Sequence, residues 1–327
     1  MVVAAAPRDD ARMSGAHRVL ITGGSGYVGG LLGARLAAAG MFVVGTDLRA
    51  RTDAGFPVRT LDVRDRALEA LLHEHRITHV VHLAAVLEGG RDRARDYDID
   101  VNGTRNVVEC ALAAGVRHLT VSSSGAAYGY HADNPEWIDE GDPLRASDRF
   151  AYAHHKRAVE ELLAGYRASH PRLGQLVLRI GTVLGATTAN QITALFARSR
   201  LLAVRGSDSP FAFIWDEDVV GAIQHGVLGD RTGTYNVAGD GKLTIHELAA
   251  ILGKPVLTIP AAVLEGALTV ARAFGVGRYG PEQVDFLRFR PVLSNRRLKE
   301  EFGYVPVKTS AEAFRFYVER ARARGAV

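Results

Sequence analysis

A chain of 327 residues, 47% of them hydrophobic, can bury the core of one large domain or two smaller ones. Its 40 Lys+Arg against 36 Asp+Glu give a formal charge of +4 carried by scattered arginines, which argues against a nucleic-acid-binding surface. One cysteine, Cys110, excludes an intramolecular disulfide, and no stretch approaches the roughly 18 consecutive apolar residues that cross a bilayer, so a cytoplasmic protein binding neither nucleic acid nor membrane is expected.

Residues 1–17, MVVAAAPRDDARMSGAH, carry acidic charges and lack a long apolar run after a basic start. They read as a flexible tail rather than an export signal, with Met13 as an alternative start. Ordered sequence begins at Arg18. VLIT suits a buried strand, the glycines after it a turn, and the Leu and Ala positions up to Gly40 a helix. MFVVGTD is a second strand ending at Asp47; TLDVRD, the helix RALEALLHEH and the strand VVHLAA follow. The helix GTRNVVECALAAG, with Cys110 packed inside it, leads to HLTVSSSGAAYG, and the helix FAYAHHKRAVEELLAGYR leads to LGQLVLRI. Strands alternating with helices predict a mostly parallel α/β sheet covered on both faces. Beyond residue 180 the alternation weakens. DEDVVGAIQHGVLG has acids in its first turn, and LTIHELAAILG has Thr244 and Glu247 at capping-box spacing, so both predict helices. SNRRLKEEFGY and SAEAFRFYVERARARG predict two more. Residues 18–180 therefore read as one α/β domain and 181–327 mostly as a smaller lobe, with some segments returning to the sheet.

Gly23, Gly26 and Gly29, with Tyr27 and Val28 among them, lie between a strand and a helix. Glycine there lets backbone amides approach a pyrophosphate, and the helix start supplies favourable electrostatics; a tight turn in an unrelated α/β protein is the alternative. Asp47 lies roughly 20 residues further on, where a carboxylate accepts hydrogen bonds from an adenosine ribose and repels a 2′-phosphate, favouring NAD over NADP. Arg49 and Arg51 are close enough in sequence to receive such a phosphate instead. Asp62 and Val63 are placed to border the adenine, or are an ordinary loop acid beside a core valine.

Ser122, Ser123 and Ser124 follow the strand LTV, at the end where a nicotinamide would face the protein. Tyr152 and Lys156, four positions apart, share one face of a helix. An unperturbed phenol is a poor base at neutral pH, and a neighbouring ammonium together with an oxidised nicotinamide favours the phenolate. Tyr152 would then take the proton of an alcohol whose carbon gives up hydride, Lys156 would hold the ribose, and Ser124 would hydrogen-bond the substrate oxygen. Tyr128 reads as an aromatic lid or packing residue, with substrate contact as its functional alternative. Asn102 is read as a hydrogen-bonding partner of cofactor hydroxyls or of backbone near the lysine, or as a helix cap. His82 reads as a packed strand-end residue. His154 and His155 lack the Cys, Asp or Glu pattern of a metal site, and no metal is expected.

TGGSGYVG (22–29), Asp47, DV (62–63), HLAA (82–85), NGTRN (102–106), SSSGAAYG (122–129) and YAHHK (152–156), in that order, resemble the extended short-chain dehydrogenase/reductase family, and within it the NAD-dependent epimerase/dehydratase group typified by UDP-galactose 4-epimerase. LRIGTVLG, FIWDEDVV, TYNVAGD and EFGYVP are weaker matches. The resemblance implies a Rossmann-type doubly wound parallel sheet with a smaller C-terminal substrate-binding lobe, NAD as cofactor, a small-molecule substrate and a homodimer built on a four-helix bundle. It implies Tyr152 as base, Lys156 as its support, Ser124 as the substrate-binding hydroxyl, and Leu83, Ala84 and Ala85 along the cofactor. In such sugar epimerases NAD takes hydride from the sugar, the keto intermediate rotates, and the hydride returns to the other face.

Departures from the family pattern bear on substrate. Thr182 stands where many relatives have Asn, and Phe211 and Ala212 where many have Arg-Asp, positions that often grip the nucleotide. Losing a guanidinium removes a charge-assisted contact to a diphosphate, for which Arg179, Arg205 or Arg290 could compensate. Asn190 and Gln191 are candidates to contact a sugar or other polar substrate. The leading expectation is a nucleotide-sugar epimerase-like enzyme. Its rivals are an NAD-dependent dehydrogenase or reductase of a non-nucleotide secondary alcohol or ketone, such as a sugar, a sugar acid or a steroid-like alcohol, and a Rossmann scaffold with a binding or regulatory role.

Overall fold

The computed structural model describes residues 17–87, 92–208, 210–274 and 280–327. In chain order the elements are β1 (Arg18–Thr22), α1 (Tyr27–Ala38), β2 (Phe42–Asp47), β3 (Val58–Thr60), α2 (Ala67–Glu74), β4 (His79–His82), α3 (Arg93–Tyr97), α4 (Gly103–Ala113), β5 (His118–Ser124), α5 (Ala151–Ser169), β6 (Gly174–Ile180), β7 (Thr182–Leu184), α6 (Gln191–Phe196), β8 (Leu201–Val204), β9 (Phe213–Trp215), α7 (Asp216–Leu228), β10 (Gly233–Val237), α8 (Ile245–Leu252), β11 (Val256–Ile259), α9 (Ala261–Ala273), α10 (Gln283–Arg288) and α11 (Ser310–Ala323). A π-helical turn, Asp98–Asn102, joins α3 to α4.

Seven parallel strands form the main sheet in the order β10-β6-β5-β4-β1-β2-β3. Val19, Leu20 and Ile21 of β1 are fully buried because β1 is central and covered on both faces. Leu32 and Leu36 of α1 pack with Val219, Val220 and Ile223 of α7 on one face. Leu68 and Leu72 of α2, Val107 and Val108 of α4, and Val159 and Leu163 of α5 cover the other. Strand order reverses between β1 and β4, where Thr22 and His82 are register partners at the carboxyl ends. Diverging connections open a crevice at such a point.

The rear half contributes a strand and a helix to this body, β10 beside β6 and α7 against α1. Its own core is aromatic: Phe196 is surrounded by the rings of Phe211, Phe213, Phe314 and Tyr317 at 5.1–6.2 Å. Two short parallel pairs, β7 with β9 and β8 with β11, frame it. The Thr244 and Glu247 capping box forms as expected at the start of α8.

Two sequence expectations are refined. SNRRLKEEFGY is helical over 296–302 as expected, but Leu298–Phe302 take the wider π-helical pitch, and Gly303, at a left-handed φ of +86°, ends the helix. The tail expected over 1–17 lies outside the described residues except for His17. That residue is buried with its ring 4.4 Å from His79, so it packs with the sheet and does not belong to a loose tail.

Candidate active site

A cleft of about 1320 Å³ runs across the carboxyl ends of β1, β2, β4 and β5 and under the rear lobe. It exceeds the roughly 300–1,000 Å³ of a pocket for one small ligand, so a cofactor and a second molecule can lie in it together.

At its floor the β1–α1 turn requires glycine. Gly23 has φ +72°, and a Cβ there would lie 2.8 Å from the Ala84 amide nitrogen; at Gly29 a Cβ would meet the Gly23 carbonyl at 2.1 Å. Gly26 caps α1 with no side-chain hydrogen bond, and the first turn holds no acid, so the amides that begin the helix are not taken by a capping side chain. This cradle fits the pyrophosphate of a dinucleotide. Tyr27 and Val28 line it too, and the Tyr27 hydroxyl donates to Asp216 at 2.5 Å. Burial, and then the Asp216 hydrogen bond, push the Tyr27 phenol above its ordinary value.

Asp47, at the end of β2, accepts the Ser25 amide at 3.1 Å and lines the cleft. Arg51 is turned into an exposed pair with Asp53, and neither Arg49 nor Arg51 lines the cleft. Asp62 and Val63 line it together with Leu83, Ala84 and Ala85. The Arg64 side chain holds the Asp62 carboxyl below its ordinary range, with Nη2 at 2.6 Å from Oδ2. Asn102 is a correction: it is exposed, donates to Asp98 at 2.9 Å, and does not line the cleft, because the π-helical turn carries it to the outer surface.

Alternation along β5 turns Ser123 to the face opposite Ser122 and Ser124. Ser122 gives its carbonyl to Lys156 Nζ at 2.7 Å. Ser123 is buried and donates to Glu160. Ser124 lines the cleft and accepts the Ala126 amide at 3.2 Å, which leaves its own proton to donate. Tyr152 and Lys156 line the same cleft from the first turns of α5, with Lys156 Nζ 5.7 Å from the centre of the Tyr152 ring. His155 points away and hydrogen-bonds Asp100 at 2.7 Å. His82 is packed between Thr22 at 2.7 Å and Thr104 at 2.9 Å, and burial, then the nearby Lys156 charge, push it down to about 3.

Tyr128 takes the packing role first expected of it, and only the alternative of substrate contact is corrected. It is buried outside the cleft, accepting from Arg179 at 2.7 Å and donating to Asn236 at 2.9 Å, so it packs the structure and does not reach a substrate. Tyr130, two residues on, does line the cleft, and its ring meets Phe150 at 4.7 Å and Phe286 at 5.2 Å. Burial first, and then Tyr152, raise its phenol above the ordinary value. The sequence offered no signal for it beyond its place next to the SSSGAAYG motif.

Thr182, Asn190, Gln191 and Arg290 all line the far end of the cleft. Asn190 spends its side-chain oxygen on the amides of Ile192 and Thr193, both at 2.9 Å, as the cap of α6. Arg179 is excluded from it by its buried pair with Glu160 at 2.8 Å, and Arg205 does not line it. Arg290 stacks its guanidinium 3.8 Å over Phe211, and burial pushes it down to about 9.

A doubly wound sheet, a glycine cradle at its switch point and a Ser, Tyr and Lys set in the same cleft define a dinucleotide-dependent oxidoreductase of the short-chain type. The model of the NAD dependent epimerase/dehydratase family matches residues 19–238, and the chain belongs to that family, a group of enzymes with NAD as cofactor. An uncharacterized protein of Mycobacterium tuberculosis is 24% identical over 311 residues, 91% of this chain and 82% of that protein. A UDP-glucose 4-epimerase of Streptomyces lividans is 34% identical over 184 residues, 53% of this chain and 54% of that one. The crystal structure of the Thermus thermophilus UDP-glucose 4-epimerase in complex with NAD superposes with a TM-score of 0.74 at 27% identity, covering 95% of this chain and 100% of that chain.

Proposed function

We propose that the protein is a nucleotide-sugar epimerase-like oxidoreductase in which Tyr152 moves the proton of a substrate hydroxyl. The observation that carries this reading is that Tyr152, Lys156 and Ser124 line one cleft with the glycine cradle. Bound NAD supplies a reversible hydride acceptor. The Tyr152 oxygen takes the alcohol proton and returns it, while the Lys156 ammonium stabilises negative charge as it develops on the phenol. Lys156 is fixed for this by its bond to the Ser122 carbonyl. Ser124 donates to the substrate oxygen. Asp47 receives the adenosine ribose, and the exposed pairing of Arg51 with Asp53 supports NAD over NADP.

At the substrate end, Arg290 is the cation the reading assigns to a diphosphate, with Gln191 and Thr182 facing the sugar. The Phe211 and Ala212 wall supports a second reading, net oxidation or reduction of an alcohol or ketone without a nucleotide. Purified protein incubated with UDP-glucose distinguishes them. Conversion to the C4 epimer with no net accumulation of NADH is expected; no conversion of any UDP-sugar, with stoichiometric NADH formed from a simple sugar or sterol alcohol, selects the second reading.

A further inference from the structure

At the end of the sheet opposite the cleft, three residues remote in sequence converge. His17 immediately precedes β1, His79 opens β4, and Asp230 lies in the turn from α7 to β10. His79 Nε2 is 2.7 Å from Asp230 Oδ1, His17 Nε2 is 3.8 Å from Asp230 Oδ2, and all three ligand atoms lie within 4.8 Å of one another. Both imidazoles are buried, whereas the carboxylate is half exposed, so the cluster opens to solvent on one side only.

We infer that His17, His79 and Asp230 form a binding site for a divalent transition-metal ion of the zinc class. Ligands at about 2.0–2.1 Å around tetrahedral zinc lie roughly 3.3 Å from each other, and with one ligand atom from each of the three side chains already within 4.8 Å of the others, small side-chain rotations bring them to that spacing. Two imidazole nitrogens and one carboxylate suit zinc and its neighbours and disfavour magnesium or calcium, which take oxygen ligands. The open side leaves the fourth position to water.

The surroundings orient the donors as metal sites require. His79 Nδ1 is 2.8 Å from Thr78 Oγ1, which also receives the Arg18 amide at 2.9 Å, so the ring is held by its second nitrogen and Nε2 is aimed at Asp230. Asp230 takes a left-handed φ of 46°, one of two such non-glycine residues among those described, at the turn that brings it to His79. His118 packs its ring 5.3 Å from His79 and bonds the Arg231 carbonyl at 2.7 Å, which fastens the Asp230 turn to β5. Because the site joins the start of β1, the start of β4 and the α7–β10 turn, a bound ion acts as a clamp on the fold and not as part of the reaction.

Tag-free protein, stripped with chelator, is titrated with Zn²⁺ by calorimetry and with Co²⁺ by visible absorption. One equivalent of zinc, a tetrahedral cobalt spectrum and a higher Tm with zinc are expected. Asp230→Asn keeps the left-handed backbone accessible and His17→Gln keeps a polar side chain; each should weaken zinc binding at least tenfold and remove the Tm shift, with NAD binding unchanged as the check on folding. Absence of saturable binding in the wild-type protein, or affinity in both variants equal to wild type, overturns the assignment.

Discussion

A few side chains are fixed by their immediate neighbours, and their substitution has calculable effects. Tyr152→Phe removes the only proton the ring can exchange, so turnover should fall by about 10²–10⁴-fold while NAD binding, measured by fluorescence titration, stays at the wild-type level. Unchanged turnover would end the assignment of Tyr152 as the base. Arg290→Gln removes a charged donor, whose hydrogen bonds contribute about 1.5–3 kcal/mol. UDP affinity should therefore drop by at least about tenfold if Arg290 holds a diphosphate, and equal UDP binding by variant and wild type would select the non-nucleotide reading. His82 titrates in the unfolded chain near its ordinary 6.5 but only at about 3 when folded. A base with a depressed folded pKa contributes stability that is present above pH 6.5 and is lost as pH falls toward 3, because the unfolded chain then binds the extra proton. His82→Gln should flatten that acid limb in urea unfolding series, and an unchanged slope would contradict the neutral buried imidazole.

Elements show the same dependence on context. The β1–α1 turn is legible in sequence because its chemistry is local: only glycine tolerates the φ of Gly23 or the approach of Gly29 to the Gly23 carbonyl. Gly29→Ala would put a methyl group 2.1 Å from that oxygen, and loss of measurable NAD binding in an otherwise folded protein is expected. Helix α8 was equally legible, since Thr244 and Glu247 form their capping box within one turn. The π pitch within SNRRLKEEFGY was not, because its apolar Leu298 and Phe302 are drawn into the core between the sheet and α7, and a wider turn places them there. In the rear lobe Phe196 is fully buried within a ring cluster that no periodic pattern announced. Phe196→Ala should cost about 3–5 kcal/mol in chemical denaturation, and a loss below about 1 kcal/mol would mean the lobe repacks freely.

On the scale of the molecule, the topology brings distant segments into two separate sites. Strand order reverses beside β1, so the cleft gathers residues from the first glycine turn to Arg290, while the opposite end of the sheet gathers His17, His79 and Asp230. A homodimer is the proposed assembly, and sedimentation at the mass of two chains is expected; a monomer at working concentration would remove it. Among the described residues no helix is long and apolar enough to cross a membrane. The sequence alone determined the alternation of strands and helices, the glycine cradle, Asp47 and the Tyr152 and Lys156 pair, because each depends on spacing within one turn, one strand or one βα unit. Tertiary structure decided that Tyr130 and not Tyr128 borders the cleft, that Asn102 faces outward, that Arg179 is turned to Glu160 while Arg290 lines the cleft, and that two histidines meet an aspartate. Those outcomes depend on which side of a folded surface a residue lands, and that is set by packing between elements far apart in the chain.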